Sequence, residues 1–316
     1  MRAAIVALSL LAGLDALAQS YPQKPVRLVV PAPAGGPTDV PGRLVADGLS
    51  ELLGQRFVIE NRAGAGGLVA GEFVARSTPD GYTLLYANTS VLAVNPALQG
   101  ANMPYDPAKA FVPIGFVSNS PQLLVANPKL PYRTVQELVA WAKKNPGRLN
   151  FATAGVGTLP HLTFELFRNE TGIDALNVPY SGGGPALTAV ISGQADVLFD
   201  IVGPRVRTGE LRAIAVTGPE RHADLPDIPT LAESGYPAVT STSGTGIVAP
   251  AGISGEIVTL LNSKLNELTA RSDTQARMKS FGLVPKSGTP EEFGSWASRE
   301  RERWTRVVKQ SGAKAE

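Results

Sequence analysis

The sequence predicts an α/β protein made of two similar lobes, on the strength of three observations. The chain has 316 residues, and domains commonly run about 100–200 residues, so two cores are expected. Short β-branched runs alternate with segments of helical periodicity, a pattern typical of parallel sheets covered by helices. This alternation occurs twice along the chain, and each series contains a glycine-rich loop between a strand and a helix.

The first series opens with Val26–Val30, which is short, β-branched and closed by Pro31, as a buried strand is. After a turn-rich loop, Thr38 and Asp39 are good helix N-caps. The helix that they start carries apolar residues at helical spacing until Gly54. The series then continues with a strand over residues 57–60, a helix over 68–77 and a strand over 82–86.

The second series begins with a strand near residues 122–126. Thr134 and Glu137 form a capping box, which predicts a helix that ends before Pro146. The remaining predicted elements are a strand at 149–153, a helix at 160–171, a strand at 176–178, a helix at 184–193 and strands at 197–201 and 211–217.

The C-terminal part supplies a short strand near residues 246–249, a helix from about Ser254, and a last helix. A second capping box, Thr289 with Glu292, starts that last helix, and Pro290 suits its first turn. Its amphipathic stripe predicts a face packed against the fold, and consists of Phe293, Trp296, Trp304, Val307 and Val308.

Composition excludes several function classes. Lys and Arg number 29 and Asp and Glu 27, a net charge of +2, and aromatic residues make up 6% of the chain. Such a chain has little attraction for a phosphate backbone and few platforms for stacked bases, which argues against nucleic-acid binding. Cysteine is absent and histidine occurs twice, so neither disulfides nor a thiolate or multi-His metal centre is expected, and no cofactor is predicted.

The N-terminus predicts a secretory signal peptide over residues 1–18. Arg2 precedes an apolar run over residues 3–14, and Ala16 and Ala18 are the small residues that a signal peptidase reads before Gln19. The run is shorter than the roughly 20 residues of a membrane-spanning helix. The alternative is a first core helix. We expect cleavage near Ala18 and, because no cysteine is present for lipid attachment, a free exported protein.

A search for catalytic motifs does not predict an enzyme. Neither a Gly-x-Ser-x-Gly elbow nor a phosphate-binding P-loop occurs. A run resembling a dinucleotide fingerprint, at residues 244–249, is followed at once by Pro250, which prevents the helix that this motif requires. His161 and His222 are far apart, with no carboxylate pattern that suggests a dyad or a metal site.

The two glycine loops are the best candidates for a site. One is Ala34-Gly35-Gly36-Pro37-Thr38-Asp39 and the other Thr153-Ala154-Gly155-Val156-Gly157-Thr158. Loops between a strand and a helix expose backbone N–H groups, and the helix N-terminus adds partial positive charge, so both suit a small anion without Lys or Arg. The alternative is that glycine only permits tight turns. A matched loop in each lobe favours binding.

These residues, with others, resemble the substrate-binding proteins of tripartite tricarboxylate transporters, the Bug-type periplasmic receptors, from about Tyr21 to the C-terminus. The motifs are Tyr21-Pro22-x-Lys24-Pro25, Pro33-Ala34-Gly35-Gly36-x-Thr38-Asp39, Glu60-Asn61-Arg62-x-Gly64-Ala65-Gly66-Gly67, Pro79-Asp80-Gly81-Tyr82-Thr83-Leu84-Leu85, Ala152-Thr153-x-Gly155-x-Gly157-Thr158, Val178-Pro179-Tyr180-x-Gly182 and Leu225-Pro226-Asp227-x-Pro229-Thr230.

The resemblance implies a type II periplasmic-binding-protein fold, in which two α/β lobes are joined by two crossing strands with the ligand cleft between them. It places the crossings near residues 116–120 and 243–248. Lobe 1 would then comprise residues 19–118 and 246–316, and lobe 2 residues 119–245. The expected protein is a periplasmic, monomeric receptor that closes on a small organic carboxylate.

Carried over by resemblance, the expected ligand contacts come from both lobes. Asp39 and Asp200 are expected to accept hydrogen bonds rather than contact the ligand carboxylate. The alternative for Asp39 is that it is only a helix N-cap. His161 is expected either to orient its loop or to contact the ligand. The full set is Ala34, Gly36, Thr38, Asp39, Asn88, Thr89 and Ser90 in lobe 1, and Thr153, Gly155, Gly157, Thr158, Ser181 and Asp200 in lobe 2.

Two departures from the family pattern bear on specificity. Small residues fill positions 242–246, where many relatives carry an aromatic residue, and Ser181 stands where a basic residue is common. These changes predict room for a bulkier or less acidic ligand. The expected partners are that ligand and membrane transporter subunits, and the alternatives are presentation to a sensor protein or a periplasmic hydrolase.

Overall fold

The computed structural model describes residues 21–313, and the predicted signal peptide lies outside them. The strands are β1 Val26–Val30, β2 Phe57–Asn61, β3 Thr83–Asn88, β4 Phe111–Pro121, β5 Leu123–Ala126, β6 Leu149–Thr153, β7 Ala175–Pro179, β8 Val197–Asp200, β9 Arg212–Val216 and β10 Thr242–Pro250. The α-helices are α1 Asp39–Leu53, α2 Leu68–Ala75, α3 Asn95–Gln99, α4 Pro107–Ala110, α5 Val135–Lys144, α6 Leu159–Thr171, α7 Gly183–Ser192, α8 Gly203–Arg207, α9 Gly255–Ala270, α10 Ser272–Ser280 and α11 Pro290–Ser311.

The strands form two five-stranded sheets, one in each lobe. The first has the order β2-β1-β3-β10-β4 and the second the order β7-β6-β8-β5-β9. Helices cover both faces of each sheet, so alternate side chains along one strand belong to two different hydrophobic cores. Val30 of β1 packs with α1 and α9, whereas its neighbour Val29 packs with α2 and α11. The two-lobe α/β architecture predicted from the sequence is therefore confirmed.

The expectation of wholly parallel sheets is wrong in one respect, because both sheets are mixed. β1 pairs in parallel with β2 and β3, and β6 pairs in parallel with β7 and β8. In contrast, β10 runs antiparallel to β3 and β4, and β5 runs antiparallel to β8 and β9. The antiparallel strands are those that carry the chain into or out of a lobe, so their direction is set by the connection rather than by local sequence.

The two lobes are joined where β4 and β10 end. These strands pair along their whole lengths, from Thr242 opposite Pro121 to Pro250 opposite Phe111. Gln122 alone separates β4 in the first sheet from β5 in the second. The predicted crossings near residues 116–120 and 243–248 thus fall inside β4 and β10, and β10 is longer than the short strand expected.

Local signals explain most helix boundaries. Both predicted capping boxes are present: Thr134 with Glu137 starts α5, and Thr289 with Glu292 starts α11. Helix α1 ends at Gly54, whose left-handed φ of 67° suits glycine. The start of α1 differs from the prediction, because Thr38 makes no side-chain capping bond and Asp39 is the first helical residue. Its carboxylate is used elsewhere, as described below.

Helix α11 packs against both lobes. Phe293 and Trp296, near its start, join the core that covers one face of the first sheet. Trp304 and Val307, two to four turns later, join the core of the second sheet, where Trp304 is fully buried. The predicted packing face is confirmed, and the helix forms a second physical link between the lobes besides the crossing strands.

Within residues 21–313, the helices are all too short or too polar to cross a bilayer.

Candidate functional site

A cavity of about 550 Å³ lies between the lobes. It is bordered by the loops that follow the parallel strands β1, β2, β6 and β7, by residues at or just after the ends of β3 and β8, and by Gln122 and Ser243 at the crossing. Parallel strands end at one edge of a sheet, which is where open α/β sheets bind ligands. The fold therefore brings loops from both lobes to one shared space.

The loops of the two lobes touch each other around this cavity. A methyl group built on Gly66 would lie 2.6 Å from the backbone oxygen of Gly157, and one built on Gly182 would lie 3.2 Å from Pro33. Across the same boundary, the backbone N–H of Leu159 donates to Ser90 Oγ at 3.0 Å. Gly66 has a left-handed φ of 62°, so this close approach requires glycine for both space and conformation.

The first glycine loop is held in shape by Asp39, which is fully buried. Its Oδ2 accepts hydrogen bonds from Gly35 N–H and Arg43 Nε, both at 2.8 Å, and its Oδ1 accepts one from Asn61 Nδ2 at 2.7 Å. Burial opposes ionisation of this carboxyl, but these hydrogen bonds hold the pKa of Asp39 below its usual range. Asp39 therefore tethers the loop and does not line the cavity.

Backbone N–H groups without an intramolecular partner in the described part of the chain occur in both lobes at the cavity wall. Gly36 and Thr38 line it just before α1, and Gly155 and Val156 line it just before α6. The N–H groups of these four residues donate to no acceptor within residues 21–313. Gly155 has a φ of 111°, a backbone conformation that glycine adopts readily. Both loops precede helices of 15 and 13 residues, whose N-termini carry partial positive charge.

Two side-chain amides are oriented as donors at the cavity wall. Gln122 Oε1 accepts hydrogen bonds from Thr163 Oγ1 and Ser241 Oγ, both at 2.9 Å, so its Nε2 is the free end. Similarly, Asn88 Oδ1 accepts from Val91 N–H at 3.1 Å. Since Gln122 and Asn88 both line the cavity, their NH₂ groups extend the set of donors that an anion could use.

Asp200 is the one carboxylate among the residues that line this cavity, which include neither Lys nor Arg. Its Oδ1 accepts the N–H of Ile201 at 2.7 Å. Burial raises the pKa of Asp200 to about 6, and the hydrogen bond from Ile201 partly offsets this rise. The cavity thus combines many neutral donors with a single acidic group that is protonated more readily than a free aspartate.

Most of the residues expected at the site line the cavity. Ala34, Gly36, Thr38, Asn88, Ser90, Gly155, Thr158, Ser181 and Asp200 do so.

Three further candidates besides Asp39 lie behind the wall. Thr89 is fully buried and its Oγ1 accepts the N–H of Gly244 at 2.9 Å. Thr153 donates to Asn177 Oδ1 at 2.8 Å, and Gly157 packs beside the side-chain oxygen of Asn95. These residues support the loops rather than face the cavity, because their polar groups already have protein partners or their surroundings are filled.

His161 is buried in α6 and does not line the cavity. Burial, together with the positive charge of Arg168, lowers the pKa of His161 to about 4. Its Nδ1 has no hydrogen-bond partner within residues 21–313. The imidazole is therefore neutral at physiological pH, and no bond of this Nδ1 orients the loop.

Sequence reasoning missed Gln122 and the loop Ala63-Gly64-Ala65-Gly66-Gly67, which line the cavity. The loop was visible as a glycine-rich segment after a strand. Gln122 gave no local signal, since its position depends on where the chain crosses between sheets.

The small residues at positions 242–246 do not all widen the cavity. A methyl group built on Gly244 would lie 2.1 Å from Trp296, and one on Gly246 would lie 2.4 Å from Phe293, so both glycines make room for α11. Side chains alternate along a strand, and Ser243 is the residue of this segment that lines the cavity. The expected effect on specificity therefore rests on Ser243.

The described residues contain no cluster of His, Asp and Glu able to hold a metal ion.

Comparisons with known proteins agree with this geometry. Residues 42–313 match the model of the family described as the tripartite tricarboxylate transporter family receptor. Protein BugT of Bordetella pertussis is 37% identical over 301 residues, which cover 94% of this chain and 92% of BugT.

Two solved structures with bound acids are also similar. Rpa4515 of R. palustris with adipate is 35% identical with a TM-score of 0.88, covering 92% of this chain and 98% of that one. MatC of Rhodopseudomonas palustris with bound malate is 33% identical with a TM-score of 0.86, covering 91% and 100%. By family match, relatives and fold, the chain belongs to the tripartite tricarboxylate transporter receptors, the family of periplasmic solute-binding proteins that includes the Bug proteins.

Proposed function

We propose that this chain captures a small organic carboxylate in the cavity between its lobes and delivers it to an uptake system of the tripartite tricarboxylate type. The observation that carries the proposal is the cavity wall, in which four backbone N–H groups have no acceptor among residues 21–313. They belong to both lobes, at Gly36, Thr38, Gly155 and Val156. Such donors in front of two helix N-termini stabilise an anion without any cationic side chain.

The same arrangement explains how binding would favour a closed form. A carboxylate that accepts hydrogen bonds from both lobes has more partners when the lobes meet than when they part, so its differential affinity shifts the population towards closure. We propose residues 19–118 and 246–316 as lobe 1 and residues 119–245 as lobe 2. Because α11 packs on both, we further propose that closure is a limited rotation about β4, β10 and this helix.

Two relatives support the ligand class. The structures of Rpa4515 and MatC contain adipate and malate, respectively. Both ligands are small organic acids, and both proteins match this chain over more than nine-tenths of its length. We therefore extend the class, though not a particular acid, to this chain.

We propose that the protein acts in the periplasm after removal of residues 1–18 by cleavage between Ala18 and Gln19. The proposed partners are membrane transporter subunits that recognise the surface of the closed, ligand-bound form. Chemical turnover is not part of the proposal, because Asp200, the one acidic group on the cavity wall, is hydrogen-bonded to the Ile201 N–H and, within residues 21–313, to no hydroxyl that it could activate. A sensor protein would use the same closed surface, and capture of ligand-loaded protein by such a sensor in place of transporter subunits would contradict the uptake role.

The test is thermal melting of protein that has been unfolded and refolded to remove ligand acquired during expression. The panel contains mono-, di- and tricarboxylates, aromatic acids, amino acids and neutral amides. A ligand at about 100 times its Kd stabilises the folded state by about 2.7 kcal/mol, an easily measured rise in Tm. A rise with one or more acids is expected. A rise only with neutral compounds would contradict the proposal.

A further inference from the structure

The first cavity has a neighbour that the proposed carboxylate site does not account for. A second cavity of about 460 Å³ shares lining residues with it, among them Asn88, Asp200 and Ser243 and the loop residues Gly36 and Thr38. The two spaces adjoin each other along this shared wall. The inference below rests on the proposed function, since it concerns the part of the ligand that extends beyond the carboxylate.

The residues that line the second cavity alone are mainly apolar. Tyr86, Leu187, Val202, Phe281 and Leu283 are among them. Val40 also lines this space and is 37% exposed. Tyr86, Val202 and Leu283 are already buried and form the back of the cavity. The apolar surface that a ligand would cover belongs to Leu187, Phe281 and Val40, and its removal from water is favourable by about 25 cal/mol per Å². The second cavity therefore suits an uncharged, apolar group.

Charge also separates the two cavities. The one basic residue among those lining the second cavity is Arg205, and its Nη1 already contacts both carboxylate oxygens of Glu210, at 2.9 and 3.0 Å. On the shared wall stands Asp200, whose Oδ1 alone has a backbone donor. The second carboxylate of a diacid would have to pass Asp200, and the cation beyond it, Arg205, is already paired with Glu210. A diacid therefore gains little binding free energy by extending into the second cavity.

The shared wall leaves a passage between the cavities. A methyl group built on Gly35 or Gly184 would meet no atom within 4 Å, so no side chain fills the space at these positions. Ser243 is short as well and lines both cavities. The junction is thus bordered by small residues at Gly35, Gly184 and Ser243 and by larger side chains at Asn88, Asp200 and Ile201.

We propose that this receptor selects monocarboxylates with an apolar tail, the carboxylate lying against the glycine loops of the first cavity and the tail passing Ser243 into the second. Each CH₂ buried in the second cavity contributes about 0.8 kcal/mol, or close to a fourfold gain in affinity. Affinity therefore rises along a series of linear acids once the tail is long enough to pass the junction.

The chain offers a matched pair of variants to test this. Thr188 and Thr259 are both exposed, and each donates its hydroxyl to the carbonyl of a glycine four residues earlier in a helix. Thr188 lines only the second cavity, whereas Thr259 lines neither. Thr188→Trp fills part of the second cavity, and Thr259→Trp controls for a large aromatic residue on an exposed helical position.

The experiment is calorimetric titration of the ligand-free protein and both variants with butyrate, hexanoate, octanoate, 4-phenylbutyrate, malate and adipate. In the unmodified protein and in Thr259→Trp, octanoate and 4-phenylbutyrate should bind at least tenfold more tightly than butyrate. In Thr188→Trp that gain should disappear, while butyrate binding changes less than twofold. Equal affinities along the series, or tighter binding of malate and adipate than of octanoate, would overturn the inference while leaving carboxylate capture intact. Failure of every acid to bind would overturn both proposals.

Discussion

Replacement of Asp200 by asparagine should stabilise the folded protein at alkaline pH. Asparagine keeps nearly the same shape, and its Oδ1 can still accept the N–H of Ile201, which lies 2.7 Å from the aspartate oxygen. What the change removes is the charge. Because the aspartate is enclosed by the cavity wall, this charge is less well solvated in the folded state than in the unfolded chain.

The magnitude follows from the pKa. Burial raises the pKa of Asp200 from 3.8 to about 6, and each unit corresponds to about 1.36 kcal/mol, so the ionised carboxylate costs at most about 3 kcal/mol. The folded state holds the proton more tightly than the unfolded state. Stability from this group is therefore fully present below about pH 4 and is lost as pH rises through about 6. Asp200→Asn escapes that loss.

The assay is urea unfolding of the ligand-free protein and of Asp200→Asn at intervals from pH 4.5 to pH 8. The variant should gain up to about 3 kcal/mol over the unmodified protein at pH 8, and the difference should shrink towards pH 4.5. Asp174→Asn removes a charge from an exposed aspartate and serves as the control. Parallel pH profiles for Asp200→Asn and the unmodified protein, or a less stable variant at pH 8, would refute the reasoning.

Three other changes test the parts of the site separately. Gln122→Glu keeps the side-chain oxygen that accepts hydrogen bonds from Thr163 and Ser241 but removes the free amide donor. Calorimetry should therefore show at least tenfold weaker binding of carboxylates. Unchanged affinity would place the ligand away from Gln122. Gly66→Ala forces apart the contact between the loops at Gly157 and should weaken ligand binding. The control is Gly54→Ala, because Gly54 has a similar φ of 67° and no close neighbour; it should cost about 1 kcal/mol of stability and leave the Kd unchanged. Equal Kd values for the two variants would count against closure at this contact. Asp39→Ala leaves Arg43, Asn61 and Gly35 without their shared acceptor and should lower the free energy of unfolding by about 3 kcal/mol at pH 7. The difference in unfolding free energy between the two proteins should become smaller in acid, because the Asp39 carboxylate of the unmodified protein is protonated as pH falls through its lowered pKa. A difference that does not depend on pH would mean that the charge of Asp39 does not contribute to holding the loop.

Local signals were sufficient for the elements that depend on neighbouring residues. The bounds of β1 follow from the β-branched run and Pro31, and both capping boxes start the helices that they predict. Strand direction was not accessible in the same way, because the antiparallel pairing of β5 and β10 depends on where the chain crosses between lobes. Periodicity reports which face of a strand is buried and says nothing of its partner's direction.

The site shows the same division. The two glycine loops were found because the order of strand, glycine and helix is local and the anion-binding property follows from it. The separate roles of Asp39 and Asp200 could not be read from the sequence, since one carboxylate is buried beside Arg43 and Asn61 and the other borders the cavity. Gln122 acquires its role from two hydroxyls distant in the chain, Thr163 and Ser241.

The measurement that tests the central claim most directly is a crystal structure of the ligand-free protein soaked or co-crystallised with the acid that raises its Tm most. The account predicts that one carboxylate lies between the lobes, with its oxygens within hydrogen-bond distance of backbone N–H groups from both loops, at Gly36 or Thr38 and at Gly155 or Val156, and with no Lys or Arg in contact. An acid bound outside this cavity, or held there by a basic side chain with the loop N–H groups unused, would contradict it.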